Sequence, residues 1–231
     1  MKKNILITGM PRIGKSTLLQ RVIRDLPQKT GFVTHEVLED GKRVGFEVEA
    51  QSGRRADLAN IRFTTPHQVA RYFVDTTPME ELLPSIITFG KDDVLYLDEI
   101  GEMQLLSPKF RKLALRYLNA ENLCIATLPS LFVDDFIEQI KMRPDVLLFD
   151  VTEENREGMS HFLPQLLHKI RKAQAYVKTP ERFTRQGDRI TLDSMHGVRT
   201  LTRDGQEWLC DCDFFVKHHV CSHALAVEDM F

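Results

Sequence analysis

The sequence predicts an α/β protein: a mostly parallel sheet covered by helices, continued at the C-terminus by a small β-rich domain. Three observations predict it. A short apolar run, Asn4-Ile5-Leu6-Ile7-Thr8, leads through a glycine-bounded loop into an amphipathic stretch carrying Leu18, Leu19, Val22, Ile23 and Leu26. Short, almost wholly apolar runs then alternate with helix-patterned stretches to about residue 176, as expected of strands buried on both faces. After Lys178-Thr179-Pro180 the pattern gives way to brief β-like runs and clustered cysteines.

The first loop reads Gly9-Met10-Pro11-Arg12-Ile13-Gly14-Lys15-Ser16-Thr17, which is the G-x-x-x-x-G-K-[ST] spacing of a P-loop between strand and helix. The two glycines let the backbone curl so that successive N–H groups point at phosphate oxygens. The helix beginning near Lys15 adds the positive end of its dipole. Lys15 is placed to reach the β- and γ-phosphates, and the Ser16 hydroxyl to ligate Mg²⁺. The expectation is a P-loop NTPase fold that binds a nucleoside triphosphate.

The remaining elements follow in order. Phe32–Val37 and Arg43–Val48 flank Glu39-Asp40-Gly41-Lys42, and the Asp-Gly pair predicts a hairpin. Gly53–Asp57 reads as a polar loop, and Pro66–Asp75 and Met79–Phe89 as short helices. Val94–Leu97 is an apolar strand ending in Asp98-Glu99. Phe110, Leu113, Ala114, Tyr117 and Leu118 then fall on one helical face. Leu123–Thr127 is a strand, Phe132–Ile140 a helix, Val146–Val151 a strand and Gly158–Tyr176 a helix. The break at Lys178 sets the expected domains at 1–177 and 178–231. In the second, Arg189–Leu192, Gly197–Thr202 and Glu207–Cys210 read as strands.

Hydrophobic residues make up 42% and charged residues 28% of the 231, an ordinary globular balance, and no apolar run approaches a membrane span. The N-terminal apolar run is too short for a signal peptide, so a cytoplasmic location and no membrane partner are expected. Crowded cysteines in such a compartment point to metal rather than disulfides.

Asp98-Glu99 at the tip of an apolar strand is what a P-loop enzyme needs opposite Lys15. Asp98 can hold Mg²⁺ through a water, and Glu99 can orient or deprotonate the attacking water. Two adjacent carboxylates favour water as the phosphoryl acceptor. Thr127, ending the next strand, is a candidate contact to the γ-phosphate or the lytic water, or simply a strand-end cap.

Gly31–Val37, Gly41–Phe46 and Leu97-Asp98-Glu99-Ile100-Gly101-Glu102-Met103 resemble the cancer-related nucleoside-triphosphatase family, as does Val151–Arg156. The resemblance covers roughly residues 1–170. It implies a P-loop fold of the catalytic-glutamate division, with one strand, Leu123–Thr127, between the P-loop strand and the Asp98 strand. It also implies slow Mg²⁺-dependent hydrolysis of ATP, GTP and other triphosphates, with Asn155 and Arg156 near the base or ribose. The chain departs from that pattern at Arg12, where glycine is usual, and at Glu102, where lysine is common.

The tail carries Cys210-Asp-Cys212 and, after eight residues, Cys221-Ser-His223. Three thiolates and one imidazole suit tetrahedral Zn²⁺ and leave no open position, so this zinc is structural. Spacing and context resemble the SWIM zinc finger over residues 185–227, with His218 and His219 as competing ligands or exposed loop residues.

Charge divides the C-terminal region. Residues 169–189 hold seven basic side chains against two acidic, +5, whereas residues 190–231 hold three against seven, −4. The finger, acidic overall, is expected to meet a protein partner first. Nucleic acid is the second candidate, through the basic segment, whose charges otherwise only solvate the helix and linker. Two rival functions remain: a nucleotide or polynucleotide kinase, and a nucleotide-gated adaptor.

Overall fold

The first apolar run forms a strand, β1 (Asn4–Gly9), whose Ile5, Leu6 and Ile7 are fully buried. The computed structural model describes residues 1–231. It continues with β2 (Lys29–Glu39), β3 (Lys42–Ala50), β4 (Arg55–Asn60), β5 (Gln68–Val69), β6 (Tyr72–Val74), β7 (Val94–Leu97), β8 (Cys124–Thr127) and β9 (Val146–Val151). These nine strands make one sheet in the order β5-β6-β4-β3-β2-β7-β8-β1-β9. From β2 to β9 along that order every pairing is parallel, while β3, β4, β6 and β5 extend it antiparallel. The sheet is therefore mixed, and β8 lies between β1 and β7, as the family resemblance implied.

Helices α1 (Lys15–Arg24), α2 (Thr77–Leu82), α3 (Glu102–Leu105), α4 (Pro108–Asn119), α5 (Asp135–Lys141) and α6 (Arg156–Val177) accompany the strands. The start of α4 is written in its sequence. Ser107 caps it by accepting the Phe110 N–H at 3.1 Å, and Pro108 opens the first turn where no donor is needed. Its apolar stripe is buried, with Phe110 5.7 Å from Phe32 between ring centroids and the Tyr117 hydroxyl donating to Ile86 O at 2.6 Å. Each such side chain gains about 1.5–3 kcal/mol by leaving water.

The predicted hairpin is present: β2 and β3 pair Glu39 with Lys42 across Asp40 (φ 47°) and Gly41 (φ 72°). Both turn residues need positive φ, which is why Asp-Gly is the signal. Two expectations are corrected. Pro66–Asp75 is not a helix but the β5–β6 hairpin, turning at Ala70 (φ 51°) and Arg71, so Val69 pairs with Tyr72 instead of stacking one turn below it. Arg55–Asn60 is a strand rather than a loop, because β3 offers a partner and Leu58 and Ala59 are buried.

Asn4–Ser160 forms one compact unit, and His161–Phe231 with Met1–Lys3 forms a second. The division falls inside α6, upstream of the break at Lys178 that set the expected boundary. Within the second unit Phe162 stacks on Phe214 and His218, and Tyr176 lies 5.7 Å from the His223 ring, so the later turns of α6 belong with the tail. The Met1 amino group pairs with Asp229 and Lys2 with Glu228, which ties in the first residues.

The second unit carries an antiparallel sheet of β10 (Phe183–Gln186), β11 (Arg189–Ser194), β12 (Gly197–Asp204) and β13 (Glu207–Cys210) in sequence order. Ile190, Leu192, Leu201 and Trp208 are buried. Two helices absent from the sequence reading follow, α7 (Asp213–His218) and α8 (Ser222–Met230). No helix of the chain is long and apolar enough to cross a membrane.

Candidate active site and cysteine–histidine cluster

The P-loop leaves β1 at Gly9 (φ 146°) and enters α1 at Gly14 (φ 107°). Gly9 is also a close approach: a Cβ there would stand 2.6 Å from Val151 O. Lys15 lies back along the loop, its Nζ donating to Gly9 O at 2.9 Å and Met10 O at 3.3 Å. Opposite it, β7 delivers Asp98 and Glu99 at its C-terminal end, joined by a cis peptide. The Ser16 hydroxyl donates to Asp98 Oδ1 at 2.9 Å and that of Thr127 donates to the same oxygen at 2.6 Å. Asp98 Oδ2 is buried with no partner. A carboxylate oxygen left bare beside a serine hydroxyl fits a Mg²⁺ ligand pair.

A second layer fixes the backbone. The Thr34 hydroxyl donates to Asp98 O, and Gln104 Nε2 donates to Thr34 Oγ1 at 3.2 Å. The Glu99 side chain folds over Gly101, where an added Cβ would stand 2.7 Å from Glu99 Oε1. Burial pushes the Asp98 carboxyl above its ordinary value, against the hydrogen bonds from Thr127 and Ser16 and the charge of Lys15. Burial and the neighbouring Asp98 charge push Glu99 up to about 7, with Lys15 opposing.

Two clefts border the loop. One, of about 380 Å³, is lined by Arg12, Ile13, Gly14, Thr17, Leu18, Arg21, Arg156, Glu157 and Ser160. The other, of about 700 Å³, holds Lys15, Ser16, Asp98 and Glu99 and is walled by Thr34, Glu36, Arg43, Phe46, Glu102–Gln104 and Pro129–Phe132. Arg156 thus faces a cleft beside the P-loop, but Asn155 does not. Its Oδ1 accepts from Thr152 N at 2.9 Å and its Nδ2 donates to Asp150 O at 2.8 Å, so both polar ends hold the turn after β9. Thr127 is fully buried and lines neither cleft, its hydroxyl being spent on Asp98. Thr34 and Gly101 fall in stretches that carry the family resemblance and Gln104 just beyond one, but no role is assigned to any of the three from sequence. Thr34 reaches Asp98 through strand order, Gln104 through Thr34, and Gly101 meets Glu99 in the turn after β7.

In the C-terminal unit, Cys210, Cys212, Cys221 and His223 are all buried, and their ligand atoms lie within 4.8 Å of one another. His223 Nδ1 is 3.5 Å from Cys210 Sγ and 3.8 Å from Cys221 Sγ. A tetrahedral site with Zn–N near 2.0 Å and Zn–S near 2.3 Å needs an S···N edge of about 3.5 Å, so the set fits zinc. His218 lies apart, stacked on Phe162 at 4.8 Å and near Phe214 at 4.6 Å, and His219 (φ 54°) ends α7.

The NTPase family matches residues 4–163, ending ahead of the cysteine cluster. The nucleoside-triphosphatase THEP1 of Thermotoga sp. (strain RQ2) is 38% identical over 157 residues, 67% of this chain and 90% of that protein. The human cancer-related nucleoside-triphosphatase is 30% identical over 192 residues, 75% of this chain and 100% of that protein. The crystal structure of THEP1 from the hyperthermophile Aquifex aeolicus is similar with a TM-score of 0.65 at 31% identity, covering 71% of this chain and 98% of that one. Fold, P-loop, strand order and relatives agree: the chain belongs to the P-loop nucleoside-triphosphatase family.

Proposed function

We propose that the chain hydrolyses nucleoside triphosphates, ATP and GTP among them, to the diphosphate and phosphate with Mg²⁺, and that its tail is a SWIM-like zinc finger for partner recognition. The observation that carries the first part is the bare Asp98 oxygen beside Ser16, with Glu99 adjacent and its carboxyl at about 7. Met10–Gly14 and Thr17 wrap the phosphates, Lys15 neutralises them, and Ser16 and Asp98 hold Mg²⁺. That ion, when bound, offsets charge on the phosphate oxygens. Glu99 takes the proton as the water oxygen bonds to the γ-phosphorus and the bond to the β-phosphate oxygen breaks. Thr127 positions Asp98, and Arg156 borders the nucleoside end.

Steady-state phosphate release without any added acceptor tests this reading against a kinase. Lys15→Ala is expected to weaken triphosphate binding roughly 10–100-fold, the worth of a charged hydrogen bond. Titration with a fluorescent triphosphate reads it, and unchanged affinity removes Lys15 from the site.

Gly101→Ala tests how tightly Glu99 is held. Gly101 has φ −124°, open to any residue, so the added methyl acts only by displacing the Glu99 carboxyl. Turnover is expected to fall roughly 10²-fold with nucleotide affinity kept, as for an ångström-scale misplacement. A wild-type kcat in this variant would show that Glu99 is not used where it stands.

For the tail, a protein partner is the reading the charges support. Several cations of the basic segment are already engaged: Lys169 over Phe214 at 4.6 Å, Lys172 over Tyr176 at 5.6 Å and Arg185 over Phe231 at 5.5 Å. Those contacts keep the charges but hold the side chains over rings, and residues 190–231 carry −4, so nucleic acid stays second.

A further inference from the structure

Arg12 sits mid-loop with φ 66°, the left-handed region that glycine enters freely and a residue with a side chain enters at a cost. Nothing inside the chain compensates for it. The side chain is exposed, and its guanidinium makes no hydrogen bond or ion pair. Strain kept without a structural return points to function.

Position says which function. Arg12 lines both clefts, so it stands over the path from the nucleoside end, beside Arg156, to the carboxylates Asp98 and Glu99. The larger cleft has one other arginine, Arg43, and it is committed: its Nε donates to Tyr72 Oη at 2.8 Å, and its Nη1 pairs with Glu36. Arg21 borders only the smaller cleft and pairs with Glu157 at 3.8 Å. Arg12 is therefore the one uncommitted guanidinium at the carboxylate-bearing cleft.

We propose that Arg12 is a built-in arginine finger, contacting the γ-phosphate oxygens as charge develops on them during transfer to water. This rests on the hydrolase reading and adds a catalytic residue to it. A planar fork of donors suits the spread charge of a phosphoryl group in flight better than a point charge does. Lys15 supplies that point charge, and Arg12 supplies the fork. Because the finger comes from the loop itself, turnover does not wait for a partner to provide one.

The experiment measures kcat and KM for ATP with Mg²⁺ in the full chain and in Arg12→Ala, Arg12→Gly and Arg12→Lys. It also measures binding of ADP with and without aluminium fluoride, a mimic of the transferring group. Loss of the finger is expected to lower kcat roughly 10³-fold in the alanine and glycine variants, with partial activity in the lysine variant and KM within a few-fold. ADP alone should bind all four proteins alike, and aluminium fluoride should tighten ADP on wild type, less on the lysine variant and not on the alanine and glycine variants. Arg12→Gly should melt above Arg12→Ala, since only glycine relieves the backbone. Equal kcat in wild type and the alanine and glycine variants overturns the proposal, as does a raised KM with kcat unchanged. If wild type itself releases no phosphate, the hydrolase reading fails first and takes this one with it.

Discussion

Glu99→Gln is expected to bind nucleoside triphosphate as wild type does and to lose roughly 10²–10⁴-fold in turnover, the range for removing a general base. The amide keeps the shape of the side chain against Gly101 but cannot accept the proton of the attacking water. The same group sets a pH profile. Burial and the Asp98 charge hold Glu99 at about 7, so it becomes a base only as pH rises through that value. For wild type, kcat/KM should climb across a limb centred near pH 7, and the residual activity of Glu99→Gln should lack that limb. Stability runs the other way. A carboxyl whose folded pKa lies above its unfolded value stabilises most below about pH 4.5, and that contribution is lost as pH rises through 7. Glutamine does not titrate, so the variant without nucleotide should melt progressively above wild type from pH 5 to pH 8. Calorimetry and phosphate release on the same samples check both signs. Wild-type turnover in the variant would remove Glu99 from the chemistry.

What was legible in the sequence was whatever a few adjacent residues encode. The P-loop spacing, the Asp40-Gly41 turn and the acids at the end of β7 are local patterns with local causes. The β5–β6 hairpin was not legible, because its turn at Ala70-Arg71 lacks the glycine or asparagine that marks positive φ. Val69, Tyr72 and Phe73 also fall at helical spacing, so the pattern favoured the wrong period. β4 was hidden by its arginine and aspartate, which become tolerable once β3 supplies a partner. In the site, Thr127 and Asn155 were the right residue types in the right segments, but their polar atoms are consumed by Asp98 and by the turn after β9. Strand order decided that. It also brings Thr34 to Asp98 across 64 residues of sequence, and Gln104, 70 residues from Thr34, completes the hydrogen-bonded chain.

Removing zinc is expected to unfold the C-terminal unit of the full chain while Asn4–Ser160 keeps its own thermal transition. The buried side chains of the antiparallel sheet, Ile190, Leu192, Leu201 and Trp208, make a small core, and a domain of this size needs a staple. The cluster is placed to be that staple. Cys210 closes β13, Cys212 precedes α7, and Cys221 and His223 lie at the start of α8, so one ion held by the four would join the sheet to both helices. Cys221 also caps α8 by accepting the Ala224 N–H at 3.3 Å, and a serine hydroxyl at that position can still accept it, so Cys221→Ser removes the metal ligand and keeps the cap. Zinc held by such ligands supplies on the order of 10 kcal/mol, comparable to the whole stability of a small domain. Protein purified without chelator should carry one zinc per chain. Strong chelation, or Cys221→Ser, should split the melting profile, abolish the low-temperature helical signal of α7 and α8, and leave nucleotide binding in place. Protein free of zinc, or a chelated chain whose profile matches the untreated one, would show that the four side chains gather without a metal.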